Sequence, residues 1–145
     1  MATSDIVEFA RSLIRGDFAA NDRYERKLDD AGWEGWPAFL SALFFLAIDR
    51  RFSGEYDQAK AIRLVADLRA GMSEEQTPPD PISTEKLIRA VFDPSVELDL
   101  PPEDMGKIQT LVAYNILAQE QLSDEELDEL LAEAQELAAA HHNKA

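Results

Sequence analysis

The stretch Pro37–Ile48 constrains this chain more than any other. It reads Pro-Ala-Phe-Leu-Ser-Ala-Leu-Phe-Phe-Leu-Ala-Ile and then meets Asp49-Arg50-Arg51. Its 12 residues fall short of the roughly 20 that a bilayer span requires. Pro37 suits the first turn of a helix, and Ser53-Gly54 breaks one. The spacing predicts a helix over Ala38–Arg51 that is apolar on every side up to Asp49. Such a helix has to be surrounded, by the rest of the chain or by a partner.

The remaining segments carry helical spacing too, and the sixth helix, with Ile108, Leu111, Val112, Ile116 and Leu117, is broadly apolar and expected to be central as well. Ser4 is the expected N-cap of a first helix whose face is Ile6, Phe9, Ala10, Leu13 and Ile14, with Gly16 as its stop. A second helix is expected from about Phe18 to Asp30, thin in apolar residues and so on the surface. A fourth fits Asp57–Ala70, with Ala61, Ile62, Val65 and Leu68 as its buried stripe. Residues 72–82 hold three prolines, at 78, 79 and 81, and are expected to form a loop. Ser83 is the expected cap of a short helix ending at Asp93-Pro94, with Leu87, Ile88, Val91 and Phe92 inside. Residues 95–101 alternate Val96, Leu98 and Leu100. Their flanking prolines and the lack of partner strands favour an extended loop. A sixth helix starts at Pro101-Pro102 and runs to about Gln121. Ser123 and Glu126 form a capping box for the last, whose stripe is Leu127, Leu130, Leu131, Ala134, Leu137 and Ala138.

The expected fold is all-α: a compact bundle of about six to seven helices without significant β-sheet. One helical domain is expected over residues 1–145, with a hinge at 72–82. Arg51–Ala59 resembles the turn and second helix of a tetratricopeptide repeat. No second copy follows at the required period, so a repeat array is not expected.

Much chemistry is excluded. Cysteine is absent, which removes disulfides, thiolate nucleophiles and Cys-ligated metals. The two histidines, His141 and His142, are adjacent near the C-terminus and offer no multi-histidine metal site. The six glycines are scattered, so no phosphate loop is present. No Gly-x-Ser-x-Gly elbow occurs. Glu125, Asp128 and Glu129 share one face of the last helix, but without convergent oxygens from other elements they read as a solvated face. No cofactor and no metal are expected.

Charge divides the chain. Residues 1–72 hold 10 basic and 12 acidic residues, and residues 73–145 hold 4 and 17, within a formal net charge of −15. An acidic half repels polyanions, so neither nucleic acid nor an anionic membrane is an expected partner. Met1–Glu8 has an early acid and no basic segment, and a soluble, cytoplasmic protein is expected.

What remains is contact. The expected function is that of a small non-catalytic helical protein acting through protein–protein contacts, by self-association or as an adaptor. The candidate contact residues are Trp33, Trp36, Phe39, Phe44 and Phe45. A homodimer is favoured over a monomer, because apolar side chains point in all directions from one short helix. The first alternative is an acidic inhibitor or immunity-type protein that masks a basic partner. The second is a carboxylate-based enzyme or small-ligand carrier with a pocket between helices.

Overall fold

The computed structural model describes residues 4–72 and 77–143. Seven helices occupy them: α1 Ser4–Arg15, α2 Phe18–Ala31, α3 Trp36–Phe52, α4 Gln58–Ala70, α5 Pro81–Phe92, α6 Pro102–Glu120 and α7 Asp124–Asn143. No strand occurs among the described residues, and residues 95–101 form a turn and an extended loop. The fold is all-α, as the periodicity requires.

Local chemistry sets the boundaries. Gly16 adopts φ +71°, and the chain closes α1 with Gly16 N–H on the Leu13 carbonyl and Asp17 N–H on the Ser12 carbonyl. That double bond is the Schellman arrangement, and the left-handed residue it needs is cheap only for glycine. Asp17 at once caps α2, accepting from Ala20 N–H at 3.2 Å, so α1 and α2 form a tight hairpin. Asp57 caps α4 in the same way. The expected cap at Ser83 is corrected. Asp80 is the N-cap of α5, and its Oδ2 accepts from both the backbone N–H and the hydroxyl of Ser83 at 2.9 Å. Pro81 then takes the first helical position, where its missing N–H costs nothing, and the loop from residue 72 ends earlier than expected. The Ser123–Glu126 capping box forms reciprocally, each bond 3.1 Å long.

The all-apolar helix is central. α3 packs on both α6 and α7, and its C-terminal end reaches α5. The bonded pairs give the directions. Ser41 meets Gln109 and Arg50 meets Glu120, so α3 and α6 run parallel. On the other flank Leu137 lies beside Ala38, Ala42 and Phe45 while α7 begins near Arg50, so α7 runs antiparallel to α3. α1 packs on α2 and reaches α6 and α7, and α4 pairs with α5. One core draws a buried side chain from every helix, among them Ile6, Leu28, Phe39, Leu64, Ile88, Val112 and Leu131. Each large apolar side chain so buried contributes about 1.5–3 kcal/mol.

Two stripe assignments are corrected. On α4 the buried set is Ala61, Leu64, Val65 and Leu68, while Ile62 is 57% exposed. On α7 it is Leu127, Leu130, Leu131, Ala134 and Ala138, while Leu137 is 38% exposed.

The two halves of unequal charge are tied together. Arg11 on α1 bonds Asp128 on α7. Arg15 Nη2 bonds Asp124 at 2.8 Å, and Arg50 Nε bonds Glu120 at 3.1 Å. Part of the acidity of residues 73–145 is therefore matched by arginines of residues 1–72. Residues 73–76 of the expected hinge, the side chain of Ser4 and those of His141 and His142 lie outside the described residues. None of the described helices is long and apolar enough to cross a membrane.

Candidate protein-contact surface

The five aromatic residues singled out in the sequence separate into three groups. Phe39 and Phe44 are core residues, 0% and 3% exposed, so no partner reaches them in the folded chain. Most of α3 is accounted for in this way: Leu40, Leu43, Leu46, Ala47 and Ile48 are buried too.

Trp33 and Trp36 form the second group. Both are half-buried and stand edge-on to Phe9 of α1, with ring centroids 5.1 and 5.2 Å away. The two indoles meet each other at 5.9 Å. Trp33 Nε1–H donates to Asp29 at 2.8 Å, which satisfies the one polar atom of that ring. Gly35 precedes α3 at φ +88° and turns the chain so that both indoles lie over the same neighbour. Together they close the core at the point where α3 enters it.

Phe45 is the exception. It is 43% exposed, in the middle of the most apolar helix of the chain. Pro37, Ser41 and Phe45 follow one another at helical-turn spacing along the solvent side of α3. With Ala38 and Ala42 they line one wall and the floor of an open groove of about 490 Å³, and Leu137 of α7 lines the other. The floor is made of small residues and its sides carry the larger Phe45 and Leu137. On the α6 side, Gln109 Nε2 donates to Ser41 Oγ at 3.5 Å.

The rim beyond Leu137 is acidic. Glu133 lies one helical turn before Leu137 on the same face of α7, Glu129 lies one turn before that, and Glu136 is adjacent; all three are exposed. Asp124 and Asp128 lie on the opposite side of α7, where Arg15 and Arg11 bind them. The carboxylates of α7 thus divide into a set that holds α1 and a set that faces solvent beside the groove. The sequence placed Leu137 in the buried stripe because Leu and Ala at the edge of a stripe have the same spacing as those at its centre. The signal available was the run Leu127, Leu131, Ala134, Ala138, which leaves Leu137 offset toward Glu133.

Asp80 and Asp104 both border a cleft of about 250 Å³ between the residue 77–80 loop and α6, with Lys107 on the same wall. The backbone N–H and then the hydroxyl of Ser83 hold the Asp80 carboxyl below its ordinary range. A carboxylate stabilised in its charged form is a poor proton carrier at neutral pH. Trp36 and Leu40 border a neighbouring cleft with Met72, Lys107 and Thr110. Among the described residues, no group of three or more His, Asp or Glu is placed to hold a metal ion.

No family model matches this chain, and neither a curated protein nor a solved structure matches it.

Proposed function

We propose that this protein works by contact, as a non-catalytic helical module that docks another protein on the α3–α7 face. The observation that carries the reading is the pairing of Phe45 and Leu137 across a groove floored by Pro37, Ala38 and Ala42. An exposed aromatic beside an aliphatic residue, over a floor of small side chains, supplies the desolvated centre of an interface. The glutamates on α7 supply its polar rim.

That rim selects the partner. A surface that buries Phe45 and Leu137 comes up against Glu129, Glu133 and Glu136, so it needs apolar anchors with lysine or arginine around them. Masking of a basic partner is one form of the same reading. Two copies joined through this face by a two-fold axis would bring these glutamates together, and like charges brought together disfavour that dimer. The reading therefore sets aside the symmetric homodimer through α3.

The test is site-specific cross-linking. A photoreactive phenylalanine replaces Phe45 in one variant and Phe18, which is 69% exposed on α2, in another. Cross-links from position 45 that weaken with added salt, with none from position 18, are the expected result. Equal cross-linking from both positions, or none from position 45, overturns the reading.

A further inference from the structure

A second apolar surface lies between α4 and α5. It is a groove of about 430 Å³ lined by Gln58, Ile62, Val65, Ala66 and Arg69 on one side and Pro81, Ile82 and Glu85 on the other. Ile62 and Ile82 are 57% and 69% exposed, more than Phe45 and Leu137 of the α3–α7 face. The sequence assigned Ile62 to the core and Ile82 to a loop, and neither sits there.

Its charge sets this groove apart. α4 and α5 carry five basic residues against two acidic ones, in a chain whose net charge is −15. Arg69 lines the groove. Lys86 lies one turn beyond Ile82 on the same face of α5, and Arg63 lies three residues before Ala66; both are exposed. Of the two acids, Glu85 accepts from the Tyr56 hydroxyl at 3.0 Å and pairs with Arg89 at 3.6 Å. The two helices that form the groove therefore carry net positive charge, with Glu85, already paired, as the carboxylate among its lining residues. α7, by contrast, holds seven carboxylates and no lysine or arginine.

The chain thus bears an apolar face with an acidic rim and an apolar groove between two helices of net positive charge. We infer that the two are complementary surfaces of one self-association, in which the α3–α7 face of one copy docks on the α4–α5 groove of the next. This inference rests on the proposed role of the α3–α7 face and names its partner as a second copy of the chain. It also resolves how molecules of charge −15 come together: each contact places the most acidic helix of one against the most basic hairpin of the other. A contact between two different faces has no two-fold axis, so it propagates into a ring or an open chain rather than ending at a dimer.

Sedimentation velocity over a concentration series, at low and high salt, tests this. Wild type is expected to exceed the 16.2 kDa monomer mass by more than twofold as concentration rises, and to dissociate with salt. R63E/K86E makes the groove acidic and E133K/E136K makes the α7 rim basic. Each variant alone is expected to associate at least tenfold more weakly than wild type. Mixing the two is expected to restore association, since each reversed surface then meets its opposite. I62S/I82S should abolish association with all charges in place. All of these positions are exposed, and circular dichroism verifies the fold. A wild type that stays monomeric throughout overturns the inference, as does association that these variants leave unchanged or a mixture that fails to recover. If wild type is monomeric while position 45 cross-links to a different protein, the inference falls and the proposed function stands. If the chain associates while position 45 cross-links to nothing, both fall.

Discussion

Arg15, the last residue of α1, reaches the residue that opens α7: its Nη2 donates to Asp124 Oδ1 at 2.8 Å, while Nη1 donates to the Leu122 carbonyl at 2.7 Å. One guanidinium thus holds both a side chain and a backbone group of the α6–α7 turn. The two bonds are not of equal worth. The Asp124 side chain is 97% exposed, so water screens the ion pair. The Leu122 carbonyl lies just past the C-terminus of α6, where backbone acceptors lack helical partners.

Replacing Arg15 by alanine is therefore expected to lower unfolding stability by about 1 kcal/mol, through the lost carbonyl partner. Asp124→Asn is expected to cost less than about 0.5 kcal/mol. Urea midpoints of the two variants check this. Equal losses would mean that the ion pair, rather than the carbonyl bond, holds the turn.

How far the sequence carried is visible in α3 and its neighbours. Helix positions were legible because Gly16, Pro37, Ser53-Gly54 and Ser123 act locally, through backbone conformation and capping. The centrality of α3 was legible because its hydrophobicity has no polar side. What lay hidden was which members of that helix remain outside. Phe44 and Phe45 are chemically identical neighbours, and only the position of α7 distinguishes them. Ile62 and Leu137 were hidden for the same reason: each sits at the edge of a stripe, and burial at an edge is decided by the next helix. The cap of α5 was misplaced because both Asp80 and Ser83 are good caps, and the bond from the Ser83 backbone N–H to the Asp80 carboxylate settles which one leads.

Tyr56 gives an alkaline signature. Its ring stacks on Phe52 at 6.1 Å, and its hydroxyl donates to Glu85 at 3.0 Å. Burial, then the bond to Glu85, pushes its pKa from 10.0 up to about 12. The folded state therefore keeps the proton longer than the unfolded state does. This contribution is complete below the unfolded value and is lost as pH rises through the folded one. Stability is expected to fall between pH 10 and pH 12, the range set by those two values. Tyr56→Phe should flatten that fall and cost about 0.5–1 kcal/mol at neutral pH. Chemical denaturation at several alkaline pH values reads it out, and an unchanged slope in the variant would assign the fall to other groups.

The acid side is governed by caps. Ser83 holds the Asp80 carboxyl below its ordinary value of 3.8, and Ser123 holds that of Glu126 below 4.5, each through its backbone N–H first and its hydroxyl second. The folded state thus prefers both groups ionised. Their contribution is present above the unfolded values and disappears as pH falls through the lowered ones. Melting temperature is expected to drop as the solution is acidified below about pH 4.5. The drop should be shallower in Asp80→Asn and Glu126→Gln. Ser123→Ala removes the other side of its capping box and should cost about 1 kcal/mol at neutral pH. Melting curves from neutral to acid pH check both effects.

The sharpest separation of stability from function lies in α3. Phe39 is fully enclosed, so Phe39→Ala leaves a cavity and is expected to cost about 3–5 kcal/mol, a large part of what holds a domain of this size together. Phe45→Ser removes a side chain that is 43% exposed and is expected to cost less than about 1 kcal/mol. If Phe45 served the core, the two variants would lose stability in similar proportion. If it serves contact, Phe45→Ser keeps its melting temperature within a few degrees of wild type and loses its partner. Calorimetry on the two proteins, with the sedimentation assay run on Phe45→Ser and with Phe45→Ser tested as a competitor of the position-45 cross-link, distinguishes these cases. A helix otherwise committed to the interior then presents one aromatic side chain whose removal the fold tolerates, and only binding registers its loss.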